Sequence, residues 1–264
     1  MTTERSIAAR FSTAAATYDR HAAVQQTVAE RVFALACRCP APRRILEVGA
    51  GTGILTEKLS GRWPAAEIHA VDISPAMIAL ARSKLPRARN ITWIPADIRQ
   101  ADLAGPYDLI ASSSALQWIR PLGETLRRLV ALAARPGHLV LALMLDGTFA
   151  ELHACRSCVA PHKPGPMALP TAPEARVALA GAGLRLEHWE KAILRRRAES
   201  AASLLQAIHD QGLTGGAAPA ASVPLTRGEL NALKSEYERR YANPDGSVPL
   251  TYEVLYAAGV VERQ

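Results

Sequence analysis

A glycine-rich turn between an apolar run and a helical pattern is the feature that most constrains the fold of this chain. It lies in ILEVGAGTGILTEKL, Ile45 to Leu59. The apolar, β-branched RRILEV predicts a buried parallel strand, and ILTEKLS predicts an amphipathic helix. Because glycine has no side chain, such a turn lets the backbone touch a small molecule. The stretch therefore predicts a strand–turn–helix unit that closes on a ligand.

Strand and helix patterns alternate through the residues that follow. Four more strands are predicted at EIHAVDI, ITWIPADI, YDLIASSS and HLVLALML, with helices at AMIALARSKL and GETLRRLVALAA. Ser74 can cap the first of these helices and Pro75 can take its first position, while RPG stops the second. This alternation is typical of a doubly wound α/β sheet, whose ligands bind at the carboxyl ends of the strands.

The C-terminal part of the chain predicts two strands with a long helical insertion between them. LRLEHWEKAIL and VPLTYEVLYAAGVV would be antiparallel neighbours at the sheet edge. Hairpin strands rarely need so long a connection, so residues 198–243 are predicted to form a helical lid. A capping box, Thr226 to Glu229, begins a strong helix within it. The predicted domains are the N-terminal lid helices, 1–40, and the sheet domain, 41–264, which carries the insertion.

Composition limits the location of the chain and its metal chemistry. No run of 18 apolar residues is present, and the first residues lack the apolar core of a signal peptide. No membrane span is therefore expected, and a cytoplasmic location is predicted. Cys37 and Cys39 are too closely spaced for a zinc knuckle that would pair with Cys155 and Cys158. Free thiols and no metal site are expected.

The chain is basic, with a net charge of +7. Such a charge fits an acidic partner, although an arginine-rich proteome would produce it equally. The one dense run, Arg195 to Arg197, alternates across a strand end, so its three side chains cannot all face one ligand. It is interpreted either as a docking surface for an acidic protein or as solvated surface. No nucleic-acid partner is expected.

Acidic residues end three successive predicted strands and indicate what the turn binds. GAGTG lacks the G-x-G-x-x-G spacing of dinucleotide enzymes. Glu47, just before the turn, would repel a pyrophosphate but can attract a cationic ligand. Asp72 suits the two hydroxyls of a ribose. Asp97 can accept from an exocyclic amine such as that of adenine, although a loop-capping role would explain it as well.

This arrangement resembles the class I S-adenosylmethionine-dependent methyltransferases, roughly from Arg43 to Leu145. The resemblance implies a Rossmann-like, seven-stranded, mostly parallel sheet with helices on both faces. It also implies that S-adenosylmethionine is the cofactor, held by the glycine turn, a ribose carboxylate, an adenine site and the backbone after the fourth strand. The implied cofactor-binding residues are Glu47, Gly49, Gly51, Gly53, Asp72, Ile73, Met77, Asp97, Ile98, Ser112 and Ser113.

Three further stretches are similar to the malonyl-[acyl-carrier protein] O-methyltransferases that open biotin synthesis. They are the helix IAARFSTAAATYDRHAAVQ, the segment ALQWI, and the pair LLQAIHDQG and PLTYEVLYA. The similarity implies methyl transfer to the free carboxylate of a malonyl group on an acidic acyl-carrier protein. On the substrate side it implies Tyr18, His21, Gln117 and Trp118. The chain departs from the family at His209, where relatives often carry a lysine.

The chemistry of the segment after the fourth strand agrees with a carboxylate acceptor. It contains Ser112 to Ser114, Gln117 and Trp118 but no acid, lysine or histidine that would act as a base. A carboxylate with a pKa of about 4 is already ionised at neutral pH, so a general base is not needed. An anion then meets a sulfonium cation and charge is lost, so a closed, dry site should help. Positioning would come from Tyr18, His21, Gln117 and Trp118.

Other interpretations stay open at this point. Tyr18 and Trp118 would serve equally as core residues, and His21 and His209 as surface or lid-packing residues. A methyltransferase acting on trans-aconitate-type acids or quinone precursors, or a cofactor-binding protein without catalysis, would share the same sheet. A nicotinamide dehydrogenase is disfavoured by the G-x-G-x-G spacing and by Glu47.

Overall fold

Seven strands form one sheet in a computed structural model that describes residues 3–163, 168–212 and 224–262. The strands are β1 (Arg44–Val48), β2 (Glu67–Asp72), β3 (Ile91–Pro95), β4 (Tyr107–Ser113), β5 (Ala133–Met144), β6 (Arg185–Ala198) and β7 (Val248–Val261). Their order across the sheet is β3-β2-β1-β4-β5-β7-β6. Strands β1 to β5 pair in parallel, whereas β7 runs antiparallel to both β5 and β6. The predicted α/β fold and its antiparallel last pair are confirmed.

Helices cover both faces of the sheet. They are α1 (Thr3–His21), α2 (Ala23–Ala36), α3 (Ile54–Arg62), α4 (Pro75–Lys84), α5 (Leu122–Leu132), α6 (Ala150–Val159), α7 (Ala172–Gly181), α8 (Ala201–Asp210) and α9 (Arg227–Tyr241), with a 3-10 turn at Leu116–Trp118. Side-chain alternation in β1 divides the core: Ile45 packs with residues of α2, α3, α8 and α9, and Leu46 packs with residues of α5 and α7. Both side chains are fully buried, as expected for a central parallel strand.

Helix-capping signals lie where the sequence places them. Ser74 accepts from the backbone N–H of Met77 at 3.2 Å, and Pro75 takes the first turn of α4. The capping box of Thr226 and Glu229 begins α9. These side chains satisfy backbone N–H groups that have no partner within the helix.

Some element boundaries differ from the prediction. Helix α5 ends at Leu132, and the RPG stretch lies inside β5, which begins at Ala133. The third strand ends at Pro95, because Asp97 accepts from the N–H of Arg99 at 2.9 Å and turns the chain. The N-terminal helical region breaks at Ala22, which separates α1 from α2. Arg195 to Arg197 lie inside β6 rather than past its end, since they pair with Thr251 to Pro249 of β7.

The N-terminal helices and the insertion before β7 contact each other. The Thr17 hydroxyl donates to the carbonyl of Asp210 at 3.0 Å, and Gln25 Nε2 donates to Gln211 Oε1 at 3.1 Å. These bonds join α1 and α2 to the end of α8. Their closing over a ligand stays a prediction.

None of the helices within the described ranges is long and apolar enough to cross a bilayer.

Candidate active site

A cleft opens where the carboxyl ends of β1, β2 and β4 meet the turn after β3. It encloses about 850 Å³ including its mouth, which is a size typical of small-molecule sites. The cleft brings together most of the residues singled out in the sequence. Those that line it are Tyr18, Gly49, Gly51, Asp72, Ile73, Met77, Asp97, Ile98, Ser113 and Trp118.

The three glycines of the turn share one backbone requirement and differ in what surrounds them. All three have positive φ, at 77° for Gly49, 53° for Gly51 and 87° for Gly53. A Cβ on Gly49 would lie 2.1 Å from the Cβ of Ala115, so the turn packs against the segment after β4. A Cβ on Gly51 would meet nothing within 4 Å, so this position faces open cleft. Gly53 lies outside the cleft wall and packs near Ala81 of α4.

Backbone donors fix the Asp72 carboxylate at the cleft. Its Oδ2 accepts from the N–H of Gly51 and its Oδ1 accepts from the N–H of Ser74, each at 2.8 Å. Burial raises the pKa of Asp72, and the two hydrogen bonds oppose the rise. Each oxygen keeps a further lone pair, so the carboxylate can accept from two hydroxyls of a ligand.

Glu47 lies beneath the glycine turn with 1% of its surface exposed. It lines a small cavity with Tyr18, Gly49 and Gly51 rather than the cleft itself. Burial raises the pKa of this carboxyl to about 8, and the neighbouring Asp72 adds to the rise while Thr56 opposes it. Its buried Oε2 has no hydrogen-bond partner among the described residues. A cationic group in this cavity would satisfy that oxygen.

Asp97 forms an ion pair that the sequence reading missed. Arg99 Nε lies 3.1 Å from both carboxylate oxygens, and Nη2 lies 2.5 Å from Oδ2. Burial by itself would raise the pKa of Asp97, but the hydrogen bonds and charge of Arg99 lower it. The sequence did contain a signal for this ion pair, since Asp97 and Arg99 carry opposite charges and lie two positions apart.

The serines after β4 differ in their surroundings. Ser112 lies outside the cleft wall, and its hydroxyl donates to the carbonyl of Val48 at 2.9 Å, which ties β4 to β1. Ser113 lines the cleft. Ser114 has a positive φ of 55°, which few residues other than glycine adopt, and its buried hydroxyl has no partner in the described parts of the chain.

Three aromatic rings separate the cleft from a second space, the side cavity. Phe11 packs edge-on against both Tyr18 and Trp118, with ring centroids 6.3 Å apart in each pair. The sequence reading placed Phe11 on the first helix but gave it no role. The side cavity is lined by Phe11, Tyr18, Gln25, Ser114, Gln117, Trp118, Met144, Thr148, Phe149, Leu169 and Tyr252.

An ionic clasp holds α1 over the glycine turn. Asp19 Oδ1 accepts from the hydroxyl of Thr52, and Oδ2 accepts from Lys84 Nζ, each at 2.6 Å. Lys84 also donates to the carbonyl of Thr52 at 2.9 Å. A Ser12–Ser74 hydroxyl pair at 2.8 Å adds a second tie. The clasp explains how the aromatic residues of α1 are positioned at the cleft.

Of the remaining residues predicted on the substrate side, one lines the side cavity and two do not. Gln117 lines the side cavity, and its Nε2 donates to the carbonyl of Ser114 at 2.7 Å. His21 and His209 line neither space. His21 Nε2 lies 3.6 Å from Asp210 Oδ2, and the side chain of His209 is 70% exposed. Both histidines therefore sit on the outside of the α1–α8 contact.

The structure also places the cysteines and the arginine run. All four cysteines are free. Within the described ranges, no group of three or more His, Cys, Asp and Glu is arranged to hold a metal ion.

Arg196 donates to the carbonyl of Ala23 at 3.2 Å and to the hydroxyl of Thr27 at 3.1 Å, so it faces α2. Since side chains alternate along β6, Arg195 and Arg197 point to the other face.

The chain is similar to known proteins in both sequence and fold. A methyltransferase domain family model matches residues 45–137. The chain is 34% identical to a malonyl-[acyl-carrier protein] O-methyltransferase of Geobacter sulfurreducens, over 98% of this chain and 99% of that protein. A protein of the same name from Anoxybacillus flavithermus is 42% identical over 54% of each chain, so this second match spans about half of either protein. The YcgJ protein of Bacillus subtilis, at 14% identity, has the same fold with a TM-score of 0.65 over 89% of this chain and 100% of that one.

Proposed function

We propose a function for this chain, which belongs to the malonyl-[acyl-carrier protein] O-methyltransferase family. It transfers a methyl group from S-adenosylmethionine to the free carboxylate of a malonyl group carried by an acyl-carrier protein, in the cytoplasm. The product, a malonyl methyl ester, primes pimeloyl synthesis for biotin. The observation that carries the proposal is similarity over the whole length of the chain, including the helices outside the sheet.

The residues of the cleft fit this cofactor. Asp72 would hold the ribose hydroxyls, since both carboxylate oxygens are fixed and retain accepting capacity. The unpartnered Oε2 of Glu47 would meet the cationic amine, and the open space beside Gly51 would admit the ligand against the backbone. Ile73 and Met77 would flank the adenine. Once bound, the cofactor supplies an electrophilic methyl group on a positively charged sulfur.

Two further contacts are predicted for this cofactor. Asp97 and Ile98 would hold the adenine edge, with the Asp97 carboxylate shared with Arg99. Backbone groups of Ser112 and Ser113, at the end of β4, would meet the methionine part of the cofactor. Gly53 would act by allowing α4 to pack against the turn.

The side cavity supports an acceptor that arrives already ionised. None of the described residues lining it has a charged side chain, so it supplies no carboxylate or amine base. Burial raises the pKa of the Tyr18 hydroxyl, with Asp72 and Asp19 adding to the rise, so Tyr18 stays protonated and can only donate a hydrogen bond to an anion. Phe11 and Trp118 line both spaces and make the wall between them apolar. A carboxylate fits this chemistry because it needs orientation and dryness but no deprotonation.

The decisive experiment incubates the purified protein with labelled S-adenosylmethionine and malonyl-carrier protein. Mass spectrometry of the acyl group should show one added methyl, removable by ester hydrolysis. Acetyl-carrier protein, which has no free carboxylate, is the control and should gain no methyl. Methylation of trans-aconitate or a quinone precursor in place of the malonyl group would overturn the proposal, as would tight cofactor binding without turnover on any acceptor.

A further inference from the structure

Tyr252 of β7 is a buried hydroxyl-bearing residue of the side cavity for which the sequence predicted no role. Its side chain lines the cavity and is 4% exposed, and its ring packs edge-on against Phe149 at 5.0 Å between centroids. The hydroxyl interacts with the side chain of Gln211, which is 3% exposed. Gln211 in turn accepts from Gln25 at 3.1 Å. Three separate parts of the chain, α2, the end of α8 and β7, therefore meet in one buried polar network.

The hydrogen bonds of this network indicate how the phenol can act. The amide oxygen of Gln211 accepts from Gln25 Nε2. Burial raises the pKa of Tyr252 and the hydrogen bond from Gln211 lowers it, which is the effect of a bond that the Gln211 amide nitrogen donates to the Tyr252 oxygen. A phenol oxygen that accepts such a bond keeps its own proton for another acceptor. Because the side chain lines the cavity, a ligand bound there can be that acceptor.

Among the described residues that line the cavity, none carries a fixed positive charge that would do the same work. No described lining residue is a lysine, arginine or histidine. Arg196 acts on Tyr252 from outside the cavity wall, since its guanidinium is hydrogen-bonded to Ala23 and Thr27 of the α2 region.

We propose that Tyr252 positions the acceptor carboxylate as a neutral hydrogen-bond donor, in place of a fixed cation. The inference rests on the proposed function and names the residue that recognises its substrate. The use of a neutral donor in place of a cation has a kinetic reason. The carboxylate loses charge as it accepts the methyl group, so a cation beside it would stabilise the reactant more than the transition state and lower kcat. A neutral donor orients the same oxygen with a smaller ground-state cost.

The test compares Tyr252→Phe with Tyr256→Phe, a matched variant. Tyr256 lies on the same strand, is 2% exposed, and is not among the residues lining either space. Two carrier proteins are used, one malonyl-loaded and one isovaleryl-loaded, because isovaleryl has the shape of malonyl without its charge. Tyr252→Phe should raise KM for the malonyl carrier by about 10-fold, the scale of a hydrogen bond to a charged group. It should leave inhibition by the isovaleryl carrier and binding of S-adenosylhomocysteine unchanged.

A second variant, Gln211→Leu, tests the network rather than the phenol. It removes the donor to Tyr252, so it should reduce the preference for malonyl over isovaleryl by a smaller factor in the same direction. Cofactor binding and the unfolding temperature show whether each variant folds. Equal losses of affinity for the malonyl and isovaleryl carriers would overturn the inference while leaving the proposed function intact. Equal effects of Tyr252→Phe and Tyr256→Phe on KM would do the same. A wild-type protein that forms no malonyl methyl ester would overturn the proposed function and this inference with it.

Discussion

At the residue scale, two backbone donors set the geometry of the Asp72 carboxylate. Its two oxygens each accept one backbone N–H at 2.8 Å, which leaves one direction on each for a ligand. Asp72→Asn replaces one acceptor by a donor while keeping the shape. We expect S-adenosylmethionine binding to weaken by about 2–3 kcal/mol, the scale for charge-assisted hydrogen bonds. Calorimetry checks this, with Asp102→Asn as an exposed control, and unchanged affinity in a folded Asp72→Asn protein would contradict it.

The second residue-scale prediction concerns the proton on Glu47. With a pKa raised to about 8, this carboxyl is mostly protonated at pH 7 in the free protein. A bound cation would favour the ionised form, so cofactor binding should release about one proton at pH 7. Calorimetry in buffers of different ionisation enthalpy measures that number. Glu47→Gln should release none, and a wild-type protein that releases none would contradict the prediction that binding ionises this carboxyl.

The same pKa gives a stability prediction with a definite sign. Between the unfolded value near 4.5 and the folded value of about 8, the native state binds a proton that the unfolded state has lost. This group therefore makes the free energy of unfolding fall as pH rises through that window. Glu47→Gln removes the dependence, so the variant should gain stability relative to wild type from pH 5 to pH 8. Denaturant unfolding at the two pH values checks this, and a constant difference would contradict it.

At the scale of elements, the position of α1 depends on contacts that bridge the helix to the glycine turn. Lys84 and Thr52 share the Asp19 carboxylate. Lys84→Met should loosen α1, raise its hydrogen exchange and weaken cofactor binding several-fold. Lys58→Met is the matched control, because it breaks the exposed Lys58–Glu30 pair at 3.5 Å, away from the cleft. Equal effects of the two variants would count against the clasp.

A related prediction concerns closure of the predicted lid, residues 1–40 and 198–243. The bonds from Thr17 and Gln25 to the end of α8 join its two parts. Adding S-adenosylhomocysteine should slow hydrogen exchange in α1, α2 and α8 more than in α5 and α7, which pack on the other sheet face. Protection confined to the glycine turn would show that these helices do not close.

Elements also show what the sequence could and could not predict. The parallel strands of the core follow from alternating strand and helix patterns, and Asp72 follows from its place at a strand end. Asp97 was predicted on a strand, but a side-chain contact with Arg99 ends β3 first. His21 was predicted on the substrate side, but the predicted helix breaks at Ala22 and His21 lines neither space. Tyr252 could not be found, since its role depends on which helices lie over β7, and no local pattern encodes that contact.

At the scale of the whole molecule, the net charge of +7 bears on how a carrier protein would be recognised. Long-range attraction between a basic protein and an acidic carrier is screened over about 8 Å at physiological salt. Raising salt should therefore increase KM for malonyl-carrier protein far more than for malonyl-coenzyme A, since the attraction mainly accelerates encounter. Equal salt effects on both substrates would remove the docking argument without touching the chemistry.

The arginine run on β6 gives the sharpest form of that prediction. Arg196 is engaged with α2, so only Arg195 and Arg197, on the opposite face, can present a shared charge to a partner. The double variant Arg195→Glu/Arg197→Glu should raise KM for malonyl-carrier protein at low salt, lose that effect at high salt, and leave malonyl-coenzyme A unaffected. The control Arg87→Glu changes an exposed arginine in the loop that follows α4. If Arg87→Glu raises KM as much per reversed charge as the double variant does, the electrostatic field of the whole protein attracts the carrier. In that case β6 has no special part in docking.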